Sequence, residues 1–208
     1  MSNNDLQTLL SNNKEWVKKQ LKKDGKFFDK LSSKNEPKYL WIGCSDARVP
    51  ANSIVGLDAG EVFVHRNVGN VVSSSDNNIT AVICYAVEAL GVTDIIVTGH
   101  YGCGAVKASL GETLKPELEN WITNIRNVAK DNDSHLSPLN QQQKENTLCE
   151  LNVKQQVKNV AGTSTLINAW KDGKDISIHG WIYDIHDGLI QDLDCSIHNL
   201  EEAQKLND

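Results

Sequence analysis

The chain has 208 residues, of which 23% are charged and 39% hydrophobic, and its formal net charge is -6 at pH 7. This length suits one domain with a sizeable core, and the mildly acidic balance argues against a nucleic-acid partner, which requires a basic face. No apolar run approaches the roughly 20 residues that span a bilayer, and the N-terminus lacks the basic and apolar regions of a signal peptide. We therefore expect a single-domain cytoplasmic protein that binds neither nucleic acid nor membrane.

The first 31 residues are predicted to form an amphipathic helical segment. Leucine and aromatic side chains recur there at helical spacing, with lysines between them. A basic stripe of this kind can bind a membrane surface, but Asp5, Glu15 and Asp24 dilute it. We therefore expect a helical arm, residues 1–35, that packs on the body or on a second subunit, followed by a core over residues 36–208.

The first core element is a buried strand that ends in polar side chains. The apolar run Tyr39–Ile42 predicts the strand, and Gly43 predicts a turn after it. Cys44, Asp46 and Arg48 follow directly. Alternating side chains then predict a second strand over residues 61–65.

A helix is predicted to connect these strands to the next one. Ser75 or Asp76 is a suitable N-cap, and apolar side chains recur after it at helical spacing. The same stripe is expected to place Cys84 in the core, where a free cysteine behaves as a small hydrophobe. Because this connection is helical, the strands on either side of it should be parallel.

The strand after this helix repeats the plan of the first. Asp94–Thr98 is rich in β-branched residues and is predicted to end at Gly99, just before His100 and Cys103. Two helical stretches follow over residues 116–161, and an alternating strand over residues 176–185 leads into a hairpin. The predicted fold class is therefore α/β, with a central, mostly parallel sheet flanked by helices and an N-terminal helical arm.

The two glycine-terminated strands should bring metal ligands together, because open α/β sheets place their sites at the carboxyl ends of strands. Two thiols, an imidazole and a carboxylate suit tetrahedral zinc, with Cys44, His100 and Cys103 as permanent ligands. Asp46 is predicted to be a removable fourth ligand, because Arg48 offers its carboxylate a bidentate partner. When Asp46 leaves for Arg48, water can take the open position and be acidified by the metal.

Three sequence words resemble those of the β-class carbonic anhydrases. They are C-S-D-A-R at Cys44–Arg48, H-R-N-V-G-N at His65–Asn70 and G-H-Y-G-C-G at Gly99–Gly104. The likeness in order and spacing runs from about Glu36 to Lys107 and resumes from Ile176 to Ile190.

This resemblance implies a function as well as a fold. It implies zinc bound by Cys44, His100 and Cys103, with Asp46 and Arg48 as the catalytic gating pair. The implied reaction is the reversible hydration of carbon dioxide to bicarbonate and a proton. The resemblance also implies a homodimer or a homotetramer.

The resemblance extends to a subset of the family that is regulated by bicarbonate. That subset has a Trp three residues before the first zinc cysteine, an Arg in the H-R-N word and a Tyr on a late strand. These positions are Trp41, Arg66 and Tyr183 here. We expect them to bind bicarbonate away from the metal and to favour the state in which Asp46 blocks it.

Two other functions remain open for the same residues. A non-catalytic structural zinc protein would bind a partner, although its closed site would have no need of Arg48, which pulls a ligand away. A zinc hydrolase of carbonyl sulfide or carbon disulfide would share the fold and the metal. For the hydratase, we expect activity that rises toward alkaline pH, because two thiolates cancel the charge of the ion and make its water less acidic.

Overall fold

The computed structural model describes residues 3–34 and 36–205, and the chain divides into two compact units after residue 35. The first unit contains two helices, α1 (Asn3–Lys23) and α2 (Phe27–Ser33). The predicted helical segment is thus interrupted at Gly25. The carboxylate of Asp24 stabilises this turn by accepting hydrogen bonds from the Lys26 N–H at 2.9 Å and from the Lys30 ammonium at 2.6 Å.

The second unit is built on a five-stranded sheet. Its strands are β1 (Tyr39–Cys44), β2 (Val62–Asn67), β3 (Asp94–His100), β4 (Ser177–Tyr183) and β5 (Ile190–Asp192). The spatial order is β2-β1-β3-β4-β5, in which the first four strands are parallel and β5 is antiparallel to β4. The predicted mostly parallel sheet is confirmed, and β1 and β3, the two strands that carry candidate ligands, are neighbours.

Helices follow most of the strands in the described part of the second unit. They are α3 (Ala51–Ile54), α4 (Asn77–Glu88), α5 (Gly104–Ser109), α6 (Pro116–Asp131), α7 (Asp133–Leu136), α8 (Gln141–Ala161), α9 (Ser164–Lys171) and α10 (Leu200–Lys205). Across residues 3–34 and 36–205, no helix has the combination of length and apolarity that a membrane crossing requires.

The two faces of the sheet differ in what covers them. On the first face, strand side chains such as Val97 and Ile182 join residues of α4 to α9 in the main core. The second face carries a smaller cluster centred on Trp41, Ala51 and Ile96. Side chains alternate along β4 as the sequence predicts, with Ile178, Gly180 and Ile182 buried and the intervening residues mostly half-buried.

The two strands that carry candidate ligands both extend further than the sequence predicts. Gly43 and Gly99 were expected to end their strands, but β1 continues to Cys44 and β3 to His100. Each glycine has a packing reason instead. A Cβ at Gly43 would lie 2.3 Å from Trp41 Nε1, and one at Gly99 would lie 2.5 Å from the Cγ2 of Val153 on α8.

The expectation that Cys84 lies in the core is wrong, because its side chain is exposed. The buried side of α4 consists of Ile79, Ile83, Ala86 and Val87. Cys84 follows Ile83 directly, so it lies about 100° further round the helix, away from this stripe.

Candidate metal centre

Three buried side chains meet at the carboxyl ends of β1 and β3. Ligand-type atoms of Cys44, His100 and Cys103 all lie within 4.8 Å of one another, and the two sulfur atoms are 4.0 Å apart. Strand ends place the first two residues, and Cys103 lies at the N-cap of α5. The exposed fractions of these three residues are 6%, 1% and 3%, so the donor set is buried.

The donor chemistry of this cluster fits zinc. His100 Nδ1 lies 2.9 Å from the carbonyl oxygen of Tyr101, which fixes this nitrogen as the N–H donor and leaves Nε2 as a lone-pair donor. That Nε2 atom is buried and has no hydrogen-bond partner, an uncommon state for a buried polar atom. Two sulfurs and one imidazole nitrogen with a lone pair are three of the four ligands of a tetrahedral zinc site.

The two thiols differ in their tendency to ionise. The pKa of Cys44 is lowered, mainly because the Cys103 thiol hydrogen-bonds to its sulfur and His100 adds to the effect. The pKa of Cys103 is raised by the same hydrogen bond and by burial. The two sulfurs therefore share a hydrogen-bonded proton, which favours one thiolate in the pair, the form that binds metal.

Asp46 lies at the edge of this cluster, paired with Arg48. Arg48 Nε and Nη2 donate to the two carboxylate oxygens at 2.9 and 2.7 Å, and the Arg48 backbone N–H adds a third bond at 3.0 Å. The guanidinium of Arg48 holds the pKa of the Asp46 carboxyl well below its usual range. The Oδ2 atom of Asp46 is nevertheless only 3.8 Å from Nε2 of His100. Ligation by Asp46 stays a prediction, since its carboxylate is held by Arg48 in this structure.

Comparisons with known proteins identify the family. The model of the carbonic anhydrase family matches residues 39–190. A carbonic anhydrase of Emericella nidulans is 41% identical over 200 residues, which cover 95% of this chain and 88% of the relative. The chain belongs to the β-class carbonic anhydrases.

Solved structures of this class have the same fold. A β-carbonic anhydrase of Coccomyxa, in complex with acetazolamide, superposes with a TM-score of 0.93 at 37% identity, covering 96% of this chain and 91% of that one. One of two tetrameric β-carbonic anhydrases of Sordaria macrospora gives a TM-score of 0.88 at 34% identity, with 93% and 99% coverage. The chain is therefore an enzyme, a carbonate dehydratase that hydrates carbon dioxide to bicarbonate. This excludes the alternative of a non-catalytic structural zinc protein.

The residues expected to bind bicarbonate lie on the second face of the sheet, because side chains alternate between the two faces along each strand. Trp41 is 1% exposed, and its indole Nε1 has no hydrogen-bond partner. Arg66 is already engaged: its Nε donates to the carbonyl oxygen of Cys44 at 2.8 Å and its Nη2 donates to that of Asp46. Tyr183 is 9% exposed and pairs with His100 across β3 and β4.

Sequence reasoning missed the group that orients His100, the candidate histidine ligand. The carbonyl oxygen of Tyr101 fixes the tautomer of His100, and the Tyr101 hydroxyl donates to Glu150 of α8 at 2.6 Å. A general signal exists, because a ligating histidine almost always donates its other N–H to an acceptor. The identity of that acceptor depends on the path of the chain after β3.

Proposed function

We propose that this enzyme hydrates carbon dioxide at zinc held by Cys44, His100 and Cys103. We further propose that Asp46 gates the metal, because its carboxylate binds either the metal or Arg48. The observation that carries the proposal is the position of Asp46. Its carboxylate is bonded to Arg48 and yet has one oxygen 3.8 Å from the unpartnered nitrogen of His100. A change in the Asp46 side chain alone could therefore bring that oxygen to a metal bound by His100.

The residues around the metal would each have a defined task. Zinc, when bound, supplies a Lewis acid that lowers the pKa of water. Asp46 stays ionised because Arg48 lowers its pKa, so its carboxylate can accept a hydrogen bond from the reacting water and orient it. Arg48 holds Asp46 away from the metal, and its Nη2 also lies 3.4 Å from the carbonyl oxygen of Gly102 in the loop that carries Cys103.

Substitution of Arg48 tests this gate. In Arg48→Ala we expect zinc content to stay at one ion per chain while carbon dioxide hydration, measured by stopped flow, falls at least about tenfold, because Asp46 is free to occupy the metal. Arg48→Lys should recover only part of the activity, since a lysine cannot form the bidentate pair. Full turnover in Arg48→Ala would contradict the gate. The same assay with carbonyl sulfide and carbon disulfide would show which substrate is preferred.

We further propose that bicarbonate binds between Trp41, Arg66 and Tyr183 and inhibits the enzyme. The unpartnered indole N–H of Trp41 offers a buried donor, and the guanidinium of Arg66 offers charge. An anion that draws Arg66 away would release the carbonyl oxygens of Cys44 and Asp46. Binding on the second face would thereby loosen the backbone that carries Asp46 and allow its carboxylate to reach the metal.

The variant Trp41→Phe tests this regulation, because it removes the donor and keeps an aromatic ring. We expect bicarbonate to inhibit this variant at least about tenfold more weakly than the wild type, with little change in the uninhibited rate. Trp181→Phe is the matched control, because Trp181 lies on the same face next to Trp41, with ring centroids 6.5 Å apart. Equal bicarbonate inhibition in the wild type and Trp41→Phe would rule the site out.

Finally, we propose that the enzyme is a homodimer or a homotetramer. Apolar side chains of α1 are exposed, and the second face of the sheet has an apolar cavity of about 220 Å³ lined by residues that include Tyr39, Trp41 and Trp181. Exposed apolar surfaces of this kind mark association sites. The tetrameric relatives from Sordaria macrospora support the proposal.

A further inference from the structure

One helix, α8, reaches both loops that flank the metal centre. We define the histidine loop as residues 101–103, which follow β3, and the glycine loop as residues 68–72, which follow β2. A Cβ at Gly99, the residue before His100, would lie 2.5 Å from the Val153 side chain and 3.6 Å from the backbone oxygen of Cys149. α8 is therefore packed directly against the end of the strand that presents the histidine ligand.

The contact with the histidine loop passes through Tyr101. Its hydroxyl donates to Oε1 of Glu150 at 2.6 Å, and its backbone N–H donates to the Tyr183 carbonyl at 3.0 Å. The carbonyl oxygen of the same residue accepts the Nδ1 proton of His100 at 2.9 Å. A carboxylate on α8 thus fixes the residue whose carbonyl sets the tautomer and ring plane of the ligand.

The contact with the glycine loop is a ladder of amide side chains. Asn152 Nδ2 donates to the Gly69 carbonyl at 2.9 Å, and its Oδ1 accepts from Gln156 Nε2 at 2.9 Å. Gln156 Oε1 accepts the Val72 backbone N–H at 2.8 Å. Both amide side chains are 1% exposed, so each of these hydrogen bonds is shielded from water.

The glycine loop in turn lies behind the first cysteine ligand. Cys44 is paired with Asn67, after which the loop begins, and the backbone N–H of the next residue, Ser45, donates to the Asn67 carbonyl at 2.8 Å. The loop has little freedom to move, because a Cβ at Gly69 would be 2.7 Å from Ile125 of α6 and 3.0 Å from Ala105 of α5. The position of this loop is thus set by helices, with the amide ladder supplying its polar contacts.

We propose that α8 is the positioning element of the metal centre, acting on His100 through Glu150 and Tyr101 and on Cys44 through Asn152 and the glycine loop. These are positioning residues, since none of them would touch zinc or substrate. The inference deepens the proposed function and rests on it, because it assumes that Cys44 and His100 hold a metal.

Zinc release measures this role apart from catalysis. In Tyr101→Phe and in Glu150→Ala, the rate at which zinc passes to a chromophoric chelator should rise at least about tenfold, the usual effect of losing a group that orients a ligand. The double variant should release zinc no faster than either single variant, because both act through one hydrogen bond. Glu150→Gln keeps an acceptor oxygen and should restore slow release.

Asn152→Leu tests the second contact, with Gln142→Ala as the matched control. Gln142 is an exposed amide residue of the same helix whose side chain bonds to Asn146. Asn152→Leu should release zinc faster and shift the thiolate-to-metal absorption bands of the cobalt-substituted protein, whereas the control should match the wild type. If Asn152→Leu does not fold, the Tyr101 and Glu150 variants decide the question.

The outcomes separate the two proposals. A purely structural role for α8 would lower the midpoint of urea unfolding in these variants and leave zinc release and the cobalt spectrum unchanged, which would overturn this inference alone. Wild-type protein without stoichiometric zinc would overturn the proposed function and this inference together. Slow release in the wild type and Gln142→Ala, with fast release in Tyr101→Phe and Asn152→Leu, would support the positioning role.

Discussion

The position of Gly69 imposes two constraints that only glycine satisfies. Its φ of 80° lies in the left-handed region, and a Cβ there would be 2.7 Å from Ile125 and 3.0 Å from Ala105. We expect Gly69→Ala to lower the free energy of unfolding by roughly 2 to 4 kcal/mol, as the sum of backbone strain and overpacking. Urea denaturation of the zinc-loaded protein would measure this loss.

Gly173 provides the control for this prediction. It has a similar φ of 78°, but no neighbouring atom lies within 4 Å of the position of its Cβ. Gly173→Ala should therefore show the strain alone, roughly 1 to 2 kcal/mol. Equal losses for the two variants would mean that the glycine loop can move away from α5 and α6, against the packing described above.

At the scale of residues, ligand chemistry was more predictable than hydrogen bonding. The types and spacing of Cys44, His100 and Cys103 predicted a cluster, and the structure brings their donor atoms within 4.8 Å of one another. The backbone contacts of Arg66 and the carboxylate of Glu150 could not be predicted in this way. Each contact joins loops that come together only when the sheet has formed. The local spacing of residues along the chain does not predict such contacts.

At the scale of elements, α6 carries an ion pair that organises the segment after α5. Arg126 is bonded to the Glu119 carboxylate at 2.7 and 3.1 Å, and it also donates to the carbonyl oxygens of Ser109, Gly111 and Glu112. Arg126 holds the pKa of Glu119 below its ordinary value of 4.5. Arg126 therefore fixes the C-terminal end of α5, the helix that begins just after Cys103, and the segment that follows it.

The stability that this pair provides should depend on pH with a definite sign. The pKa of Glu119 is lower in the folded chain than in the unfolded one, so its contribution is present above pH 4.5 and is lost as pH falls through the folded value. We expect Glu119→Gln to be less stable than the wild type at pH 7, and the difference to shrink progressively below pH 4.5. Urea denaturation of both proteins across this range would measure it.

Glu201→Gln is the control, because Glu201 pairs with Lys205 on the surface, where the two side chains are 79% and 68% exposed. Exposed pairs contribute little, so this variant should match the wild type at every pH. A stability difference for Glu119→Gln that is the same at pH 7 and below pH 4.5 would contradict the assignment to Arg126.

Element types were predicted well and element ends less well. Asp76 was one of two predicted N-caps, and its side chain accepts the Asn78 N–H at the start of α4, as predicted. Glycine misled the assignment of strand ends, because Gly43 and Gly99 are required by neighbouring side chains and not by turns. A glycine that makes room for a tryptophan or a helix has the same local sequence signal as one that allows a turn.

At the scale of the whole molecule, the most exposed apolar surface of the arm lies on α1. Leu6, Leu9 and Leu10 are 56%, 62% and 59% exposed, and they share one side of the helix. Burial of three leucines at roughly 1.5 to 3 kcal/mol each is a substantial driving force for association. In the proposed oligomer this surface would pack on a second copy of the chain, and the burial of these leucines would stabilise the contact.

Charge on this surface should weaken the oligomer. For Leu9→Lys/Leu10→Lys we expect a smaller assembly at micromolar concentration in sedimentation velocity, because two ammonium groups would have to be buried in an apolar contact. Gln7→Lys/Ser11→Lys adds the same charge to the same helix on its polar side and should leave the assembly intact, with helicity by circular dichroism as a check on both. An unchanged sedimentation coefficient for the leucine variant, or an equal decrease in the control, would show that the subunits associate through another surface.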